Sequence, residues 1–182
     1  MERPHMQKEK SLAWFKLADL IARGEREKAL SVFRLLAHSL PDRAYVLQLE
    51  GDILWYLDDK NAAEKYKQAA FLYQKDKRWI DAIAIYEHLL THDPRSCDIL
   101  ASLLIFYAML DWPEKFQERY QILLELFQQR VIDEFQLEKC VKEVIETVKA
   151  ADDTPKTWLF EKVSVLVKHL PDNVASRLAG LL

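Results

Sequence analysis

The stretch YKQAAFLYQKDKRWIDAIAIYEHLLTHDP, residues 66–94, decides the fold. Small and aromatic residues recur in it every three or four positions, which places them on one face of each of two α-helices joined by a short turn. The small residues allow two helix axes to approach closely, and the aromatic rings fill the space beside them. The residues concerned are Tyr66, Ala69, Ala70 and Tyr73 in the first helix and Ala82, Tyr86 and Leu89 in the second.

The same spacing extends over the rest of the 182-residue chain. Prolines separate the periodic segments, and proline is tolerated in the first turn of a helix because the N–H that it lacks would be unpaired there. No strand-like alternation occurs, and three glycines are too few for a fold rich in tight turns. We therefore predict an all-α protein with helices near 8–23, 25–39, 42–57, 59–75, 78–91, 95–110, 113–129, 133–151, 155–169 and 172–181.

Three predicted helix starts carry residues that can cap the first turn. Asp93 and Thr154 each precede a proline, so each offers a side-chain oxygen at the N-cap. Asp133 and Gln136 have the spacing of a capping box, in which each side chain accepts a hydrogen bond from the other residue's backbone N–H.

The composition is that of a globular chain. Half of the residues are hydrophobic and 30% are charged, and the formal net charge is −3. This charge provides no basic surface, so we expect no nucleic-acid partner. The longest apolar run, Ile99–Leu110, is shorter than the roughly 20 residues that a membrane span needs. We predict no membrane insertion and interpret this run as a helix buried on both sides.

The cysteines and the N-terminus bear on cellular location. Cys97 and Cys140 lie in apolar periodic segments without metal-ligand spacing, so we interpret both as reduced thiols of the core. No stretch combines the basic start and apolar run of a secretory signal, which predicts a cytoplasmic location. We interpret residues 1–6, MERPHM, as a tag remnant or a disordered start and exclude them from the fold.

The pattern of residues 66–94 resembles the tetratricopeptide repeat, whose two helices carry W-x2-L-G-x2-Y and A-x3-F before a proline over about 34 residues. Weaker copies keep this spacing: Ala62 follows Ala29 by 33 residues, and Phe116 follows Ala82 by 34. Ala82 follows Ala62 by only 20 residues, so the helix that contains Ala62 matches both halves of the pattern.

The resemblance implies an antiparallel helix-hairpin solenoid (TPR-like) of about nine or ten helices. We expect residues 7–182 to form a single such domain, in which the best repeats span 10–126 and the part from 127 to 182 is irregular. The alternative is a helical bundle whose periodicity is accidental.

The resemblance also implies a non-enzymatic function. In this family the first helices of successive repeats line a concave groove that holds a peptide or a helix of another protein. The chain would then be a scaffold, adaptor or chaperone-like module for an apolar or amphipathic segment of a partner. The family's groove-facing positions correspond here to Phe15, Asp19, Tyr45, Gln48, Asp52, Trp55, Tyr56, Lys67, Phe71, Gln74, Ala101, Ile105 and Met109.

The charges of this strip restrict the partner. Lys67 is its only cation, so the strip does not suit the family's Lys/Asn/Arg clamp for the carboxyl terminus of a chaperone. Asp19 and Asp52 would favour a basic flank on the partner. The competing interpretation is that the aromatic residues of the strip pack between repeats, because aromatic residues dominate cores as well as binding sites.

Two other functions stay open. The apolar residues 178–182, LAGLL, favour a structural or self-association domain of a larger protein or assembly, in which the C-terminal helix would join copies into a homo-oligomer. A metal-dependent enzyme would need His88 and His92, four residues apart, to meet a third ligand. We interpret these histidines as residues of a helix end, where they favour the helix dipole. No catalytic motif occurs, so we expect no enzyme activity, no metal and no cofactor.

Overall fold

The computed structural model describes residues 4–150, 161, 170 and 172–179, and these residues form nine α-helices and no strand. The all-α prediction is therefore confirmed for this part of the chain. The predicted helix over 155–169 lies outside the described residues, except for residue 161. The helices are α1 (Pro4–Ala22), α2 (Arg26–Ala37), α3 (Arg43–Tyr56), α4 (Ala62–Lys75), α5 (Trp79–His92), α6 (Cys97–Met109), α7 (Pro113–Gln128), α8 (Glu134–Ala150) and α9 (Asp172–Ala179).

Contacts divide the chain into two compact units. The first unit contains the residues up to Ile85 and the second those from Tyr86, so α5 contributes to both. A single solenoid over residues 7–182 stays a prediction.

In the first unit, α1 packs on α2 and α3 packs on α4. Their apolar residues recur at helical spacing, so each helix turns one face inward and buries it in a common core. Burial of apolar surface is the main favourable contribution to the stability of such a unit. The core includes Leu17 and Leu20 of α1, Leu30, Phe33 and Leu36 of α2, and Ile53 and Leu54 of α3.

Small residues bring α3 and α4 close together. A Cβ atom built on Gly51 would lie 3.0 Å from Cδ1 of Tyr66, so glycine leaves the space that this ring occupies. Ala69 and Ala70 of α4 are completely buried, and so is Ala82 of α5. This is the pairing of small and aromatic residues that the sequence pattern predicts.

In the second unit, α6 packs against both α7 and α8. Nine of its residues are buried, in agreement with the prediction that the run Ile99–Leu110 forms a helix buried on both sides. Tyr86 of α5 packs on Phe106 of α6, with 5.6 Å between ring centroids. The apolar surface of α6 thus forms much of the core of this unit.

Five of the described helices end in the same kind of turn. Gly24, Asp58, Lys77, Asp111 and Arg130 all have a positive φ between 53° and 70°. In each turn the backbone N–H of this residue and that of the next donate to carbonyl oxygens at the end of the preceding helix, as in a Schellman motif. Gly24 and Asp58 are 34 residues apart, as are Lys77 and Asp111, whereas Asp58 and Lys77 are 19 apart. The turns therefore repeat both spacings found in the sequence to within one residue.

The helix starts correct one prediction and confirm another. Asp93 does not cap α6, because its carbonyl oxygen accepts a hydrogen bond from the N–H of Ser96 and the resulting turn moves the N-cap to Ser96. Asp133 and Gln136 do form a capping box, with reciprocal hydrogen bonds of 3.0 Å and 2.8 Å. Thr154 lies outside the described residues.

Candidate functional site

The residues of α3 that were predicted to line a groove lie on two neighbouring faces of this helix. Tyr45, Asp52 and Tyr56 share an exposed face, because residues seven and four positions apart lie above one another on a helix. Tyr45 is 43% exposed and Tyr56 is 67% exposed. Gln48 and Trp55 are half-buried on the adjacent face, which packs toward α4.

Two hydrogen bonds join α3 to α4 through predicted groove residues. The Tyr73 hydroxyl donates to Oε1 of Gln48 at 2.8 Å, and the Tyr66 hydroxyl donates to Oδ1 of Asp52 at 2.6 Å. Burial raises the pKa of Tyr66 well above its usual value, and the hydrogen bond to the Asp52 carboxylate raises it further. Trp55 packs on the ring of Tyr66. These side chains therefore stabilise the α3–α4 contact.

The predicted residues of α1 are exposed. Phe15 is 74% exposed. The Asp19 carboxylate forms an ion pair with Arg23, one turn later in the same helix, at 3.0 Å. Both carboxylates of the predicted strip, Asp19 and Asp52, thus interact with groups of the chain itself.

Lys67 and Phe71 of α4 line a cavity of about 490 Å³ on the surface of the first unit. Arg43 and Leu47 of α3 lie on its other side. Phe71 is 62% exposed, an unusual state for a phenylalanine side chain on a helix that buries its other aromatic residues. We call this cavity the α3–α4 groove; its lining residues are Arg43, Leu47, Glu64, Lys67, Gln68, Phe71 and Leu72.

The polar residues of the α3–α4 groove are unequally satisfied. Gln68 donates a hydrogen bond to Oε1 of Glu64 at 3.0 Å. Arg43 and Lys67 form no ion pair or side-chain hydrogen bond with any residue that the structure describes. The groove therefore combines an apolar surface with two cations that are available to a ligand.

The groove and the carboxylate of Asp52 lie on different sides of α3. Arg43 and Asp52 are nine residues apart, and nine residues at 100° each place two side chains on opposite sides of a helix. The structure therefore brings Lys67 and Phe71 together with Arg43, and it separates them from Tyr45, Asp52 and Tyr56. Gln74, near the end of α4, is half-buried and does not line the groove.

The predicted residues of the second unit are mostly internal. Ala101 is completely buried and Ile105 is 7% exposed, because α6 is surrounded by α7 and α8. Met109 at the end of α6 is half-buried. The side chains of Ala101 and Ile105 are therefore part of the core of this unit.

His88 and His92 lie one turn apart on α5. The rings of His88 and His92 lie edge to face, with 5.2 Å between centroids. Within the described part of the chain, no three His, Cys, Asp or Glu residues meet in an arrangement that could hold a metal ion. None of the described helices is both long and apolar enough to cross a membrane.

The sequence pattern did not point to the other residues of the groove, which are Arg43, Leu47, Glu64, Gln68 and Leu72. The four-residue spacing of Arg43 and Leu47 predicts that they share a face of α3, but it does not tell which face stays open. The helix α4 matched both halves of the repeat pattern, so the pattern alone could not assign its exposed side. Packing of α3 on α4 decides this assignment.

No protein-family model matches the chain, and no curated protein or solved structure matches it.

Proposed function

We propose that this chain is a non-enzymatic, tetratricopeptide-like interaction module whose α3–α4 groove binds an amphipathic segment of a partner protein. One observation carries the proposal: Phe71 is largely exposed in a groove between two cations, Arg43 and Lys67, that have no partner among the described residues. Removal of an exposed aromatic side chain from water lowers the free energy, so a ligand that covers Phe71 is favoured.

The apolar part of the groove supports a side chain of the partner as the anchor. Leu47, Phe71 and Leu72 together offer apolar contacts from two helices. Grooves between two packed helices bind helical or extended segments through apolar residues spaced three or four positions apart. The partner segment would therefore present at least one large apolar residue toward Phe71.

The charges of the groove support an acidic flank on the partner. Arg43 and Lys67 outnumber Glu64, whose carboxylate already accepts a hydrogen bond from Gln68. Complementary charges steer association and discriminate between partners. This differs from the expectation of a basic flank, which rested on Asp19 and Asp52, because those carboxylates interact with Arg23 and Tyr66.

The recurring turns support the relationship to tetratricopeptide repeats. The 34-residue interval separates Gly24 from Asp58 and Lys77 from Asp111, and it equals the length of that repeat. Repeat proteins of this kind usually bind other polypeptides on helix surfaces. Adaptor, scaffold and chaperone functions share this chemistry.

The test is a comparison of two phenylalanine variants. Tagged wild-type protein, Phe71→Asp and Phe135→Asp are used to capture proteins from a native lysate, after circular dichroism has shown that all three are folded. Phe135 is the matched control, because it is even more exposed than Phe71 but belongs to α8 in the second unit. We expect a partner that binds wild type and Phe135→Asp and is lost from Phe71→Asp.

A charge exchange then tests the groove directly. The double variant Arg43→Glu, Lys67→Glu should lose the same partner, and replacing acidic residues of the partner's binding segment by lysine should restore binding. Capture of the same proteins by all variants would contradict the proposal. The alternative is self-association through residues 178–182, whose side chains the structure does not describe. It predicts instead a dimer in analytical ultracentrifugation, which Phe71→Asp and the double variant would both retain.

A further inference from the structure

Two thiols meet in the second unit, between α6 and α8. Cys97 is the first residue of α6, and Cys140 lies within α8. The thiol of Cys140 donates a hydrogen bond to the backbone oxygen of Cys97 at 3.4 Å, and the two thiol groups also interact with one another. The packing of α6 on α8 thus brings together two cysteines that are 43 residues apart in the sequence.

We propose that Cys97 and Cys140 form a reversible disulfide, which makes the second unit responsive to the thiol–disulfide state of its surroundings. A disulfide requires two cysteine side chains that already face each other, because its geometry tolerates little backbone movement. The 3.4 Å contact between the Cys140 sulfur and the backbone oxygen of Cys97 places the two residues side by side, as such a bond needs. The bond would join the first turn of α6 to α8 and enclose α7 in the closed loop.

The two thiols differ in access to solvent. Cys97 is half-buried, whereas Cys140 is only 2% exposed. A small oxidant therefore reaches Cys97 first, and Cys140 is the resolving thiol. This order follows from access alone, since a thiol has to contact the oxidant before it can react.

A low-molecular-weight disulfide such as oxidised glutathione supplies the oxidising equivalents. The thiolate of Cys97 attacks one of its sulfurs, forms a mixed disulfide and releases one glutathione thiolate. The thiolate of Cys140 then attacks the Cys97 sulfur and releases the second glutathione thiolate. The two cysteines lose two electrons, which reduce the oxidant, and their two protons are taken up by the released thiolates.

The surroundings of the pair make this reaction slow at neutral pH. Burial raises the pKa of Cys97, and burial is also the main reason that the pKa of Cys140 is raised far above its usual value. The thiolate fraction, and with it the rate, should increase as the pH rises. The charged groups that act on the two thiols are Asp98 of α6, Asp133 before α8, and Lys139 and Glu143 of α8, of which Lys139 and Asp98 form an ion pair.

The experiment uses the whole chain in its native state. Reduced protein is incubated with oxidised glutathione between about pH 7 and about pH 9, free thiols are alkylated, and the protein is digested without reductant for mass spectrometry. We expect a peptide pair linked through Cys97 and Cys140, at a rate that rises roughly tenfold per pH unit. Dithiothreitol should reverse the link, and the oxidised protein should unfold at a higher urea concentration.

Two variants and one unfolded sample serve as controls. Cys140→Ala should accumulate the mixed disulfide on Cys97, and Cys97→Ser should react only after unfolding in urea. Native wild type that yields only glutathione adducts or disulfide-linked dimers would overturn the proposal. A native protein that does not react, while the urea-unfolded protein does, would overturn it as well.

Discussion

At the scale of single residues, Lys77 shows how a turn can be imposed on an unfavourable residue type. Its φ of 58° lies in the left-handed region, which costs a non-glycine residue roughly 1–2 kcal/mol. The N–H of Lys77 donates to the carbonyl oxygen of Gln74, so this conformation ends α4. We expect Lys77→Gly to raise the free energy of unfolding by roughly 0.5–1 kcal/mol, since the greater freedom of unfolded glycine offsets part of the gain. Urea denaturation followed by circular dichroism measures this change.

Lys75, two residues earlier, provides the control for this prediction. It lies in the last turn of α4, where right-handed helical geometry is required, so Lys75→Gly should lower the free energy of unfolding by about 1 kcal/mol or less. The two substitutions are chemically identical and should have opposite signs. A loss of stability in both variants would show that the turn at Lys77 is not strained.

Local interactions are the part of the structure that single residues predict well. The Asp133–Gln136 capping box was predicted because both partners lie within one helical turn and need no other contact. The N-cap at Asp93 was wrong, because a backbone turn to Ser96 competes with it. Two local hydrogen-bonding patterns thus compete at Asp93, and the sequence motif alone does not rank them.

At the scale of helices, Glu87 joins three elements of the second unit. It lies on α5, accepts a hydrogen bond from the Tyr107 hydroxyl of α6, and accepts two from the Arg119 guanidinium of α7 at 2.8 Å and 2.7 Å. Both charged side chains are less than a third exposed. We expect Glu87→Ala to lower the free energy of unfolding by about 2 kcal/mol, because it leaves the hydroxyl of the buried Tyr107 and the half-buried Arg119 guanidinium without their acceptor.

An exposed ion pair on α7 is the control for Glu87. Glu118 pairs with Lys115 at 2.8 Å, and both side chains are about half exposed. Glu118→Ala should leave the urea midpoint of unfolding nearly unchanged, since exposed pairs contribute little. Equal effects of the two substitutions, measured by urea denaturation, would mean that Glu87 does not connect the helices energetically.

The helices themselves could be predicted from the sequence, whereas their exposed faces could not. The apolar run in α6 predicts that this helix lies in a core whatever its neighbours are, because nearly every side of it is apolar. The candidate site is different. Lys67 and Phe71 were assigned to a groove, but their neighbours Arg43 and Leu47 follow from the way α3 packs on α4.

At the scale of the whole molecule, stability should decrease at both ends of the pH range. In the part of the chain that the structure describes, ion pairs and hydrogen bonds lower the pKa of four carboxyl groups, and burial raises the pKa of five tyrosines and of both cysteines. As the pH falls, the carboxyl groups of the unfolded chain take up protons before those of the folded chain, which favours unfolding. As the pH rises, the unfolded chain loses its protons first, which again favours unfolding. The carboxyl groups and tyrosines are Glu25, Asp42, Asp59 and Glu118, and Tyr66, Tyr73, Tyr86, Tyr107 and Tyr120.

The resulting profile is measurable by urea denaturation at a series of pH values. We expect a plateau between about pH 5.5 and about pH 7.5 and a loss as the pH falls below about 4.5. A second loss should begin at about pH 8.5, where the thiols of the unfolded chain ionise, and should grow above about pH 10, where its tyrosines ionise. High salt should reduce the acid loss, because exposed ion pairs are screened, and should leave the alkaline loss, which comes from burial. A stability maximum below pH 4 would contradict these assignments.

The sequence by itself determined the helical class, most helix positions and the repeat spacing, because these depend on residues within one or two turns of each other. Helix packing leaves the α3–α4 groove open, and it builds the Glu87 network and brings Cys97 to Cys140. Each of these joins residues of different helices. Such contacts depend on how helices pack, and sequence periodicity defines a helix face without defining what lies against it.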